Sequence, residues 1–185
     1  MHDPQGDTKP SAPKPAALPA MGDQPSDGMS GVSAVVVTPR ASVRRRIASM
    51  LHGQLESIVY ADNAEEAIEQ IKTSDCDLVI IERALPSTDG IDLLDQLTTN
   101  HPAIVGVLVG QIGNTEDAVR AMRSGACDII SIQNRSAETA RRLMDTVKRA
   151  QRVRLRDARV DRLKKLCHKL DNARREVSGQ VGDLC

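Results

Sequence analysis

The chain has no tryptophan and no phenylalanine, and its one tyrosine is Tyr60. A core without aromatic rings has to be filled by Val, Ile, Leu and Ala, which suits a small sheet flanked by helices. The same lack removes any platform on which unpaired bases could stack, which counts against single-strand recognition of that kind. The four cysteines, Cys76, Cys127, Cys167 and Cys185, form no CxxC pair and have no His-partnered spacing. That argues against a zinc site or a disulfide framework and for reduced thiols in a cytosolic protein. No run is long and apolar enough to cross a membrane, and the N-terminus lacks the apolar stretch of a signal peptide, so the expected location is cytoplasmic. His52, His101 and His168 are far apart in sequence, without ligand spacing. No nucleophile elbow, phosphate-cradling glycine loop or metal-binding helix motif occurs. Neither catalysis nor a cofactor nor a metal is expected.

Lys and Arg total 25, as do Asp and Glu, but the balance is uneven along the chain. Residues 31–135 carry 9 basic against 14 acidic groups, and residues 136–178 carry 14 against 6. An acidic body joined to a basic segment is the more telling description. Six of the nine prolines fall in residues 1–30, among Gly, Ser, Ala, Asp and Lys. Such a composition cannot bury enough surface to offset its ordering entropy, so a disordered tail is expected there.

From residue 32 the pattern alternates. Short apolar runs at 32–37, 57–60, 77–82, 104–109 and 127–132 read as strands. Between them lie amphipathic stretches of about ten residues. Val43, Ile47, Met50 and Leu51 share one face of the first helix, and Ala64, Ala67, Ile68 and Ile71 one face of the second. Ile91, Leu94 and Leu97 do so in the third, which starts at Asp89. Ala118, Val119 and Met122 are expected to face inward from a fourth helix capped by Thr115. Five strands alternating with helices call for a parallel sheet with right-handed crossovers. The spacing suits a flavodoxin-like, doubly wound α/β sheet in the order 2-1-3-4-5, over residues 31–137.

The third strand is the most informative stretch. Leu78, Val79, Ile80 and Ile81 lead into Glu82, then Leu85-Pro86 and Asp89-Gly90. A carboxylate at the carboxyl end of a parallel strand lies where open α/β sheets keep their ligand sites. This run resembles the third strand of the bacterial response-regulator receiver domain, whose pattern ends strand–Asp–x–x–Met–Pro–x–x–Asp–Gly. Thr115-Glu116-Asp117-Ala118-Val119 and Ser124-Gly125-Ala126-Cys127-Asp128 look like that family's fourth helix and its exit. The resemblance covers about three-fifths of the chain and implies a phosphoacceptor pocket, which here has lost its groups. The acidic-pair positions hold Thr38 and Pro39, the phosphoacceptor position Glu82, the hydroxyl position Gly110 and the lysine position Ile132, followed by Gln133. Glu82 alone cannot hold Mg²⁺ tightly, Pro39 lacks a backbone N–H, and Ile132 is apolar where a cation is needed. Metal-dependent phosphorylation is not expected. Glu82 is read as a partly exposed carboxylate bonded to nearby backbone or paired with a cation such as Arg40. A sharper alternative, in which Glu82 imitates a phosphoryl group, has no Lys or Thr partner to act on.

Residues 138–178 lack Gly and Pro and read as one extended basic helix, with 179–185 a flexible end. Ala140, Leu143, Met144 and Val147 are expected to face the sheet. Beyond Arg149 the pattern becomes a heptad, with Val153, Val160, Cys167, Arg174 and Val181 at a and Arg156, Leu163, Leu170, Val177 and Leu184 at d. Eight of these ten positions are apolar, as a coiled coil requires. The dimer seam is expected at Val153, Val160, Leu163, Cys167, Leu170 and Val177, in a parallel homodimer; a lone helix folded back on the acidic face is the competing reading. The expected function is a non-catalytic pseudo-receiver of two-component type, acting through protein contacts and dimerisation, with no membrane role. The alternative is a nucleic-acid-binding regulator of transcription or antitermination. Its output would be the basic helix or a domain beyond Cys185. Asp145, Asp157, Asp161 and Asp171 dilute the positive field, so nucleic acid is the less favoured partner.

Overall fold

The computed structural model describes residues 31–132 and 137–182, with side chains as far as 172. Residues 1–30, where a tail is expected, and residues 183–185 lie outside the described residues. The strands are β1 (Ser33–Val37), β2 (Ser57–Ala61), β3 (Leu78–Glu82), β4 (Val105–Val109) and β5 (Ala126–Ile130). They alternate with α1 (Ala41–Met50), α2 (Ala64–Thr73), α3 (Gly90–Asn100), α4 (Thr115–Arg123) and α5 (Ala137–Gly182). All pairings are parallel and the order is β2-β1-β3-β4-β5, the flavodoxin-like arrangement expected.

Side chains alternate across each strand, so the sheet divides the core in two. Val36, Ile80 and Val107 meet Val43 and Ile47 of α1 and Leu143, Val147 and Ala150 of α5 on one face. Val35, Val37, Val79, Ile81 and Leu108 meet Ala67 and Ile71 of α2, Leu94 and Leu97 of α3 and Ala121 of α4 on the other. The central strands β3 and β4 are buried along their whole length, which is why they read as unbroken apolar runs.

Three local features differ from the expectation. The cap of α4 is Asn114, whose side chain accepts from the Asp117 amide at 2.7 Å, rather than Thr115. Val119 and Met122 point outward, 45% and 53% exposed, and Ala121 is the buried residue. Periodicity placed the bulkier apolar groups inward, but α4 seats its small Ala121 face on the sheet. Helix α5 continues to Gly182, past the expected limit of 178, because a glycine costs a helix only about 1 kcal/mol and does not by itself end one.

Asp89 caps α3 by accepting from the Ile91 amide at 3.0 Å. Gly90 follows because the chain there lies against the end of β3: a Cβ would clash with the Glu82 carbonyl and lie 2.9 Å from the Arg83 Cα. The Asp-Gly pair thus holds the loop that carries the acidic site.

Candidate functional site

The register aligns Val37, Ile81 and Leu108, and next to them Glu82 and Val109, at the carboxyl edge of the sheet. Glu82 ends β3 there and is 2% exposed, more deeply buried than expected. Its carboxylate accepts from the Thr38 hydroxyl and is ion-paired with the Arg40 guanidinium. The Arg40 partner named from sequence is therefore present. Thr38 is fully buried, and its hydroxyl oxygen also accepts from the Arg40 amide at 3.2 Å. A buried carboxylate needs a partner, and here two come from the residues just after β1.

The Thr38 carbonyl is held in turn. Arg44, one turn into α1, donates to it through Nε at 2.9 Å and Nη2 at 2.8 Å, and Arg44 also pairs with Asp62 at the end of β2. Its guanidinium lies 5.6 Å from the Tyr60 ring centroid. Burial raises the Tyr60 pKa, partly offset by the Arg44 charge. Asp62 thus serves as a cation partner. Nothing in the sequence pattern pointed to Arg44, because a long side chain reaches its partners through space.

The other positions singled out from sequence lie around the same edge of the sheet. Gly110 has a φ of +138°, and a Cβ there would lie 3.4 Å from the Arg83 Cβ. Ile132 is buried and packs into the core between α1 and α5, and its carbonyl accepts from Arg46 at 2.7 Å. Pro39 is exposed, and Gln133 lies outside the described residues. The residue after Glu82 reaches the other way: Arg83 pairs with Asp117 of α4 at 2.7 Å and approaches Asp89 at 3.9 Å. Arg120 pairs with Asp92 and with Asp89 at 3.5 Å. Arg83–Asp117 and Arg120–Asp89 tie α4 to the β3–α3 loop, and Arg120–Asp92 ties it to the first turn of α3. No cluster of three or more His, Cys, Asp or Glu able to hold a metal occurs among the described residues.

The seam positions on α5 divide into two groups. Val153 is half-buried and packs against the core, so it belongs partly to the domain. Val160, Leu163 and Leu170 are 41%, 54% and 69% exposed, and Cys167 is exposed. Val177 lies beyond the described side chains. The first part of α5 is bound down by Arg142, which pairs with Asp128, and by Arg154, whose Nη1 lies 2.8 Å from Asp77.

A five-stranded parallel sheet in this order, with a carboxylate at the end of its third strand and Asp-Gly opening the next helix, defines a receiver. The chain belongs to the response regulator receiver domain family, whose model matches residues 35–144. Among its relatives, the protein-glutamate methylesterase/protein-glutamine glutaminase of Geobacillus kaustophilus (strain HTA426) is 30% identical over 106 residues, 56% of this chain and 30% of that one. The transcriptional regulatory protein ZraR of Klebsiella oxytoca is 29% identical over 104 residues, 55% of this chain and 24% of that one. The crystal structure of the receiver domain of NtrX from Brucella abortus superposes with a TM-score of 0.56 at 30% identity, covering 64% of this chain and 98% of that one. The chain spans less than a third of the length of these two curated relatives.

Proposed function

We propose that this receiver of two-component signalling is non-catalytic: a pseudo-receiver that takes no phosphoryl group and works through protein contacts. One observation carries the reading. The carboxylate at the phosphoacceptor position is buried and already neutralised by Arg40 and hydrogen-bonded by Thr38. Mg²⁺ binds through several oxygen ligands, and Thr38, Pro39 and Glu82 offer one carboxylate between them. The Arg40 guanidinium beside it supplies positive charge but no oxygen ligand for a metal. With Gly110 and Ile132 in the hydroxyl and lysine positions, charge developing on a transferring group meets no side-chain donor from either of them.

Signalling would then rest on surfaces. Val119 and Met122 of α4, with Thr115, Ala118 and Arg123, line an open apolar groove of about 370 Å³. The exposed Val160, Leu163, Cys167 and Leu170 supply the seam of a parallel homodimer. Free thiols at Cys76, Cys127 and Cys167 fit a reducing compartment, and the cytoplasm is the proposed location. No helix among the described residues is long and apolar enough to cross a membrane.

The test is incubation with acetyl phosphate and Mg²⁺, followed by intact-mass measurement. The wild-type chain and Glu82→Asp are both expected to stay unmodified, because an aspartate alone brings neither metal ligands nor a lysine. An acyl phosphate on Glu82 would refute the reading.

A further inference from the structure

Helix α5 packs on the sheet through Leu143, Val147 and Ala150. Along the opposite side of the helix its character changes at residue 160. Below that point stand the exposed Arg149, Arg152, Arg156 and Arg159. Above it stand the exposed Val160, Leu163, Leu166, Cys167 and Leu170. At about 100° per residue both groups lie within about 60° of one line, which runs about 31 Å along the helix. The line is thus a single face, cationic in its lower half and apolar in its upper half. Its cations have little compensation. Arg156 touches its sequence neighbour Asp157 at 3.3 Å, and Arg149, Arg152 and Arg159 have no carboxylate within salt-bridge reach among the described residues. Asp157 and Asp161 lie on the domain side, where they line a cleft against the α2–β3 and α3–β4 loops. Asp145 stands on the line below Arg149 and already contacts Arg141 at 3.5 Å and Lys148 at 3.9 Å.

We infer that the occupant of this face is a second copy of the chain, and that the arginine half makes the pairing conditional on screening anions. The inference rests on the homodimer reading above and adds its regulation. Val160 and Cys167, and likewise Leu163 and Leu170, are seven residues apart, the repeat that lets a helix pair with its own copy. In a parallel pair about a two-fold axis each seam residue faces its counterpart. The two domains then lie on the outer sides of the pair, since Leu143, Val147 and Ala150 hold each of them opposite the seam. The same symmetry sets Arg152 against Arg152 and Arg156 against Arg156. The upper half drives association by burying leucines, and the lower half opposes it by bringing like charges together. Most contacts between charged groups in proteins are weakened by salt. This one is strengthened, because salt removes a repulsion and leaves the apolar attraction in place.

The test is the dimer dissociation constant of the full chain, from sedimentation equilibrium at about 50 and about 500 mM NaCl, between which the Debye length shortens from about 14 to about 4 Å. The wild-type constant should fall about tenfold as salt rises. R152A/R156A/R159A should dimerise more tightly than wild type at the lower salt and change less than about twofold between the two. K164A/K165A/K169A removes the same charge from positions at least about 100° off the line, and should keep most of the wild-type response. Circular dichroism establishes that both variants retain helix. A wild-type dimer that salt leaves unchanged or weakens would overturn the inference while the seam stands, as would an arginine variant that responds as wild type does. If neither wild type nor the arginine variant dimerises at either salt, the homodimer reading itself falls, and the inference with it.

Discussion

Removing Arg40 should cost more stability than removing the charge it faces. Glu82 is 2% exposed, whereas the Arg40 side chain is 57% exposed. Arg40→Ala leaves a buried carboxylate with the Thr38 hydroxyl as its remaining side-chain donor. An under-partnered buried charge costs about 3–5 kcal/mol when fully enclosed. Arg40 is half in water, and solvent already screens part of the attraction, so about 2 kcal/mol is expected. Glu82→Gln differs: the amide oxygen still accepts from Thr38, and Arg40 returns to water at little cost. About 1 kcal/mol is expected, the size of one hydrogen bond to a charged group weakened to a neutral one. Urea unfolding at neutral pH reads both. With a slope of about 2 kcal/mol per molar urea, Arg40→Ala should lower the midpoint by about 1 M and Glu82→Gln by about half that, with unchanged slopes. An Arg40→Ala variant as stable as wild type, or one more stable than Glu82→Gln, would refute the argument that Arg40 is needed to hold a buried charge.

Other outcomes follow from the same structure. Burial pushes the Cys76 and Cys127 thiols up to about 11, so the folded state favours their protonated forms. Their contribution to stability is intact below the ordinary thiol value of 9.0 and is lost as pH rises from there through 11, which unfolding midpoints across that range would register. In a Cys185→Ser background, a thiol reagent at neutral pH should modify the exposed Cys167 well before Cys76 or Cys127. Gly90→Ala forces a Cβ onto the end of β3 and should destabilise by about 1–3 kcal/mol in urea. Leu163→Asp places a charge in the proposed seam, and sedimentation should then show monomers where the wild type shows dimers; dimers persisting unchanged would remove the seam from the account.

The fold was legible because parallel strands buried on both faces leave apolar runs, and the helices between them leave faces. Glu82 was legible for the same reason: a charge ending such a run stands at the sheet edge. Its depth was not, since burial depends on what Thr38 and Arg40 do after β1. The orientation of α4 was also hidden. In a helix carrying Ala118, Val119, Ala121 and Met122, periodicity cannot say whether the small or the large residues approach the sheet. Arg44, Arg46 and Arg83 were missed because their partners, the Thr38 and Ile132 carbonyls and Asp117, are distant in sequence or are backbone groups, which no side-chain pattern marks.

The central claim is that Arg40 and Thr38 occupy the place of a metal-assisted phosphoacceptor site. Mg²⁺ titration followed by the amide resonances of Thr38, Glu82 and Gly110 tests it most directly. No saturable shift is expected at these amides in the wild-type chain, since the carboxylate already has its cation. Saturable, Mg²⁺-specific shifts confined to these three amides would mean that the pocket still holds a metal, and would contradict it.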